Sequence, residues 1–211
     1  MTKKYPDYSL YLVTDRELLM GKSLEATIEE AIQGGVTIVQ LREKNVSTRE
    51  FYDIAVRIKN LLTSYHVPLI INDRLDIALA VDAEGLHIGQ DDLPAALARS
   101  ILGPNKILGV SASTHEEALK AQADGADYLG VGAMFPTNTK TDANTVTVET
   151  LTQICQSVAI PVVAIGGINS GNIHQLRGTG IAGVAVVSAI ISHTSPRDAS
   201  VSIYNQIQLL K

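Results

Sequence analysis

Residues 36–74 read VTIVQLREKNVSTREFYDIAVRIKNLLTSYHVPLIINDR. Ile38–Leu41 is a short run whose apolar residues leave little room for polar alternation, as expected of a strand covered on both faces. Ser47 stands where a helix N-cap is wanted, and Thr48–Ser64 carries an amphipathic helical spacing. A second apolar run, Leu69–Ile71, follows. The stretch therefore reads strand, helix, strand. Each strand ends in polar residues, Arg42-Glu43-Lys44 after the first and Asn72-Asp73-Arg74 after the second.

The same alternation extends in both directions. The apolar runs are Leu10–Thr14, Ile38–Leu41, Leu69–Ile71, Gly85–Ile88, Lys106–Val110, Tyr128–Val131, Val162–Ile165 and Gly183–Val187. Helical patterns separate them at Ser23–Gln33, Thr48–Ser64, Asp73–Val81, Pro94–Ile101, Thr114–Ala123, Val148–Ser157 and Ser170–Leu176, with a last stretch ending near Leu210. Ser23, Ser47, Ser113 and Ser170 are the expected N-caps, and Pro94, Pro161 and Pro196 sit at element starts, where a missing N–H is tolerated. An open doubly wound sheet and a closed barrel both fit such alternation. The count of eight favours an α/β chain folded as a (β/α)8 TIM barrel, with residues 1–211 as a single domain.

Composition sets limits on function. Hydrophobic residues make up 45% of the chain and aromatic ones 4%, so aliphatic side chains are expected to fill the core. A formal charge of −5 argues against general nucleic-acid affinity, so any anionic substrate must be held locally. The single cysteine, Cys155, excludes an internal disulfide and reads as a small apolar filler. The N-terminal residues lack a signal-peptide core, and there is no run of about 18 apolar residues. A cytoplasmic protein with no membrane partner is expected. A homo-oligomer is left open, because Val201–Leu210 suits packing on the barrel or on a partner.

Barrels of this kind carry their chemistry at the C-terminal strand ends. Gln40, Arg42 and Lys44 alternate onto one side, where two cations and an amide can grip an oxyanion. Asn72-Asp73 and Asp92 can each serve as helix caps. Because strands three and four are neighbours in a barrel, Asp73 and Asp92 can also face each other and suit a hard cation such as Mg2+. His87 reads as a packing residue, and Ser111 as either a substrate contact or a cap. The loop from Gly132 to Asp142 offers Thr137, Thr139 and Lys140 to a ligand. Gly166-Gly167 and Val187-Ser188 end the last two strands, where barrels often bind phosphate. The inventory suggests two phosphorylated small molecules meeting over one mouth.

Five segments in order carry a resemblance: Gln40–Lys44 (QLREK), Asn72–Arg74 (NDR), His87–Asp92 (HIGQDD), Pro136–Lys140 (PTNTK) and Ala164–Ile168 (AIGGI). Together with Tyr11–Asp15 and Val187-Ser188 they make the chain resemble the thiamine phosphate synthases over most of its length. The resemblance implies a transferase that joins hydroxymethylpyrimidine diphosphate to hydroxyethylthiazole phosphate and releases diphosphate. It implies that Gln40, Leu41, Arg42, Glu43, Lys44, Asn72, Ser111 and Lys140 hold the pyrimidine diphosphate. Thr137, Asn138, Thr139, Gly167, Val187 and Ser188 would hold the thiazole phosphate, and Asp73 and Asp92 the Mg2+. Arg42, Lys44, Ser111 and Lys140 would be the catalytic members. Competing readings are a thiazole tautomerase-like paralogue, a non-catalytic phosphate-ligand sensor and a phosphate-binding barrel isomerase. The first two have little use for the diphosphate half of the mouth, and the third wants an acid–base residue that does not stand out.

Overall fold

A computed structural model describes residues 6–137 and 145–210. Eight parallel strands close into a barrel in sequence order: β1 (Leu10–Val13), β2 (Ile38–Leu41), β3 (Leu69–Asn72), β4 (Gly85–Ile88), β5 (Ile107–Ala112), β6 (Tyr128–Val131), β7 (Val162–Ile165) and β8 (Gly183–Val186). Closure is by β1, whose Tyr11 lies opposite Ile38 on one side and Ala185 on the other. The helices are α1 (Leu24–Gln33), α2 (Thr48–Tyr65), α3 (Leu75–Ala80), α4 (Ala95–Leu102), α5 (His115–Ala123), α6 (Val148–Ser157), α7 (Ser188–Ile191) and α8 (Pro196–Ile207). Helix α8 packs on α1 and β1, so the terminal helix covers the barrel itself.

Local chemistry starts and stops these elements. Ser23 and Ser47 cap α1 and α2 by accepting from the N–H groups of Ala26 and Glu50. At α5 the cap is Thr114, not the expected Ser113. Thr114 accepts from the Glu117 N–H, while the Glu117 carboxylate accepts from the Ser113 and Thr114 N–H groups. Ser170 caps nothing, because the expected helix there shrinks to one 3-10 turn, Ile173–Leu176. The Asn169 and Asn172 side chains take the Gly171 and Asn169 N–H groups and tie the chain into turns first. Helix α3 likewise starts late, since Asp73 sits at φ +61 and cannot be helical.

Strand alternation divides the core in two. Leu10, Leu12, Val39, Leu41, Leu69, Ile71, Leu86 and their equivalents face outward and pack under the helices. The barrel axis is filled by Tyr8, Tyr11 and Tyr128 with Val13, Ile38, Ile70, Ile107, Val163 and Ala185. Aliphatic side chains therefore build the outer layer as expected, whereas three tyrosines dominate the axis. The Tyr8 and Tyr11 rings lie 4.8 and 5.9 Å from that of Tyr128. Glycine makes the room: a Cβ on Gly109 would lie 2.2 Å from Tyr128 Cζ.

Candidate active site

The C-terminal strand ends frame a cleft of about 950 Å3. One wall comes from the loops after β1 and β2: Asp15, Arg16, Arg42, Glu43 and Lys44. The other comes from the loops after β6, β7 and β8: Pro136, Thr137, Gly167, Asn169 and Ser188. Of the expected anion ligands, Arg42, Glu43 and Lys44 thus face Thr137, Gly167 and Ser188 across one space, whereas Gln40, Leu41, Asn72, Ser111 and Val187 are not among the residues that line it.

Each cation on the first wall is held by a carboxylate. Arg42 Nη1 donates to Asp15 Oδ2 at 3.0 Å, and the Arg42 N–H is fixed by Thr14 Oγ1. Arg16 donates to Glu43 at 2.8 Å and to Glu50 at 3.0 Å. Lys44 Nζ lies 2.5 Å from Asp73 Oδ2. Strand β2 ends at Leu41, so the expected single file of Gln40, Arg42 and Lys44 does not form. Gln40 is buried inside the barrel and donates to the Tyr11 hydroxyl at 2.9 Å. Leu41 is sealed in the outer layer, so only its backbone can face a ligand. Glu43 is also deeply buried: one carboxylate oxygen takes the Arg16 N–H, and the other has no hydrogen-bond partner among the described residues. Burial lifts its pKa above the usual carboxylate range despite the guanidinium.

Asp73 and Asp92 come together as the neighbouring strands require. Neither caps a helix. The Asp92 carboxylate takes the Gly89 N–H at 2.7 Å, and α4 begins behind Pro94 without a side-chain cap. Burial raises both carboxyl groups. At Asp73 the Lys44 ammonium and a hydrogen bond with Asp92 outweigh burial and hold the pKa low. At Asp92 burial and the facing Asp73 carboxylate win over the Gly89 N–H, and the pKa rises. Two facing carboxylates that disfavour double ionisation fit a hard divalent cation, with water and substrate oxygens completing its shell. Among the described residues no group of three or more potential metal-ligating side chains occurs, so the protein alone supplies only part of that shell.

Asn72 is buried beside His87 in the β3–β4 register. His87 packs in the barrel, with Nδ1 2.9 Å from the Tyr128 hydroxyl and Nε2 3.0 Å from Ser111 Oγ. Ser111 therefore caps no helix. Val187 forms the turn into α7, and Ser188 opens it on the cleft. Asn138, Thr139 and Lys140 lie outside the described residues. Asp15 and Arg16 belong to the cleft but were not among the sequence-derived candidates. The signal is present, because Asp15-Arg16-Glu17 is a polar group directly after the run Leu10–Thr14, like the polar groups after the second and third runs.

This fold and cleft define a (β/α)8-barrel enzyme with cations and backbone turns collected over one end. The chain belongs to the thiamine monophosphate synthase family, whose pattern it matches over residues 10–190. It is 60% identical to a thiamine-phosphate synthase of Clostridium tetani over 94% of this chain and 95% of that one. It is 61% identical to one of Ruminiclostridium cellulolyticum over 88% and 89%. The solved thiamine phosphate pyrophosphorylase of Pyrococcus furiosus superposes with a TM-score of 0.89 at 42% identity, covering 97% of each chain.

Proposed function

We propose that this chain is a thiamine-phosphate synthase, joining hydroxymethylpyrimidine diphosphate to hydroxyethylthiazole phosphate. The observation that carries the reading is the cleft itself, with Arg16, Arg42 and Lys44 on one wall and Thr137, Gly167 and Ser188 on the other. Two anion-binding walls suit two phosphorylated substrates. The substitution is dissociative: the C–O bond to diphosphate breaks first, its electron pair leaving on the diphosphate, and the thiazole ring nitrogen then attacks the pyrimidine methylene cation, which the ring amino group stabilises. A neutral ring nitrogen needs no general base, so the protein's work is positioning, charge neutralisation and exclusion of water.

In this reading Gln40, Arg42, Lys44, Asn72 and Ser111 hold the pyrimidine diphosphate, with Leu41 and Glu43 contributing backbone. Thr137, Gly167, Val187 and Ser188 hold the thiazole phosphate. The family resemblance adds Lys140 to the first set, and Asn138 and Thr139 to the second. Asp73 and Asp92 would hold Mg2+, which supplies charge neutralisation to the departing diphosphate when bound. The Lys44–Asp73 contact supports this grouping, since it sets an ammonium beside the carboxylate pair. A tautomerase-like or sensor role gives that cluster no task. The cytosol is the proposed location; no described helix is long and apolar enough to cross a membrane.

Asp73→Ala and Lys44→Ala test the assignment. Each is expected to lower kcat/KM by about 100- to 1,000-fold, Lys44→Ala by removing one contact to a developing anion and Asp73→Ala by removing a holder of the Mg2+ that would make another. Near-normal turnover of both variants with Mg2+ would contradict it.

A further inference from the structure

Five side chains cross the barrel in one unbroken series: Gln40 on β2, Tyr11 on β1, Tyr128 on β6, His87 on β4 and Ser111 on β5. The links are Gln40 Nε2 to Tyr11 Oη at 2.9 Å, Tyr11 Oη to Tyr128 Oη at 2.8 Å, Tyr128 Oη to His87 Nδ1 at 2.9 Å, and His87 Nε2 to Ser111 Oγ at 3.0 Å. The strands are cut to fit it. A Cβ on Gly109 would strike the Tyr128 ring, and one on Gly130 would lie 3.1 Å from His87 Cε1. Both phenols are fully buried, and burial lifts their pKa values far above the ordinary range, so each keeps its one proton.

We infer that this hydrogen-bonded series has a direction, and that Tyr128 is a positioning residue which sets the Ser111 hydroxyl as a hydrogen-bond donor at the C-terminal end of β5. The donors are counted from Gln40. Its amide N–H occupies one lone pair of the Tyr11 oxygen, and the Tyr128 oxygen is the only acceptor within reach of the Tyr11 proton among the described residues, so the Tyr11 O–H donates to Tyr128. The Tyr128 O–H then donates to His87 Nδ1, which fixes the neutral imidazole with its proton on Nε2. That N–H donates to Ser111 Oγ, and the Ser111 proton is left for an acceptor outside the chain. Reversing any link would reverse them all and turn Ser111 into an acceptor. The chain thus selects a substrate ring that presents an acceptor, such as a ring nitrogen, at Ser111. This inference rests on the proposed placement of the pyrimidine against Ser111.

The test combines a spectrum and a mutant cycle. In 15N spectra of the full-length protein at alkaline pH, His87 is expected as the Nε2–H tautomer. Tyr128→Phe, which keeps the ring and removes the hydroxyl, is expected to give a mixture of tautomers. An Nδ1–H tautomer in the unsubstituted protein would overturn the direction. Kinetically, Ser111→Ala and Tyr128→Phe should each raise KM for the pyrimidine diphosphate on the order of 5-fold, the worth of one neutral hydrogen bond. KM for the thiazole phosphate should stay within about 2-fold. In the Ser111→Ala background, Tyr128→Phe should add less than about 2-fold, because its effect passes through Ser111. Full additivity would overturn the relay while leaving the ring contact intact. No change in pyrimidine KM on Ser111→Ala would remove the ring contact itself, and the relay with it. If Tyr128→Phe does not fold, Tyr11→Phe cuts the chain one link earlier and is expected to show the same non-additivity.

Discussion

Gly167 joins two loops of the wall proposed to hold the thiazole phosphate, and a single added methyl group should pull them apart. Its φ is +66, and a Cβ there would lie 2.6 Å from the carbonyl oxygens of both Phe135 and Pro136. The peptide cannot simply rotate away, because the Asn169 and Asn172 side chains both donate to the Gly167 carbonyl. Gly178 provides a control, since its φ is +77 but a Cβ there meets nothing within 4 Å. Left-handed backbone costs an alanine about 1–2 kcal/mol, and overpacking adds about 1–3 kcal/mol. Gly178→Ala should therefore lose only the strain, about 1–2 kcal/mol, and Gly167→Ala about 2–5 kcal/mol. At roughly 3 °C per kcal/mol for a chain of this size, the Tm losses should be about 3–6 °C and about 6–15 °C. Gly167→Ala should also raise KM for thiazole phosphate roughly 10-fold, through displacement of Pro136 and Thr137, with Gly178→Ala unchanged. Thermal unfolding and steady-state kinetics read both effects. Equal Tm losses in the two variants, or unchanged thiazole phosphate affinity in Gly167→Ala, would refute the reasoning.

Other substitutions probe separate parts of the account. Arg99 bonds Asp127 and the carbonyls of Gly103, Lys106 and Gly125, with only 19% and 11% of the two charged side chains exposed. Arg99→Met should cost about 3 kcal/mol in urea unfolding, against about 0.5 kcal/mol for Arg57→Met at the exposed Glu25 pair; equal costs would discount the burial argument. Ser188→Asp should weaken thiazole phosphate on the order of 10-fold more than pyrimidine diphosphate by like-charge repulsion. Equal weakening of the two would mean that the anion walls are not separate. Burial pushes the Cys155 thiol up to about 11, so its alkylation near neutral pH should run about 100-fold below that of an ordinary thiol. The rate should keep rising with pH toward 11, because only the thiolate reacts. A plateau near pH 9 would show an unperturbed thiol.

Much of the scaffold was legible because parallel barrel strands are continuous apolar runs. Ile38–Leu41, Gly85–Ile88, Tyr128–Val131 and Val162–Ile165 have the bounds the sequence suggests. What such runs hide is which face points inward, since both faces are buried. The tyrosine-filled axis and the placing of Leu41 outside it were therefore invisible, although both follow once the register of β1 and β2 is known. Helix ends failed where a side chain captured the backbone early, as at Asn169 and Asn172, or where φ turned positive, as at Asp73. At the mouth, residue types at strand ends identified Lys44, Asp73, Asp92, Gly167 and Ser188 as candidates. The pairing of Arg42 with Asp15 and of Arg16 with Glu43 depends on strands brought side by side, so no local pattern announced it.

The most direct test of the central claim is a diphosphate-release assay with pyrimidine diphosphate and thiazole phosphate together, in Mg2+ and then with EDTA. The account predicts release that needs both substrates and the metal, with thiamine phosphate formed in equal amount by mass spectrometry. Binding of thiazole phosphate without any diphosphate release would contradict it.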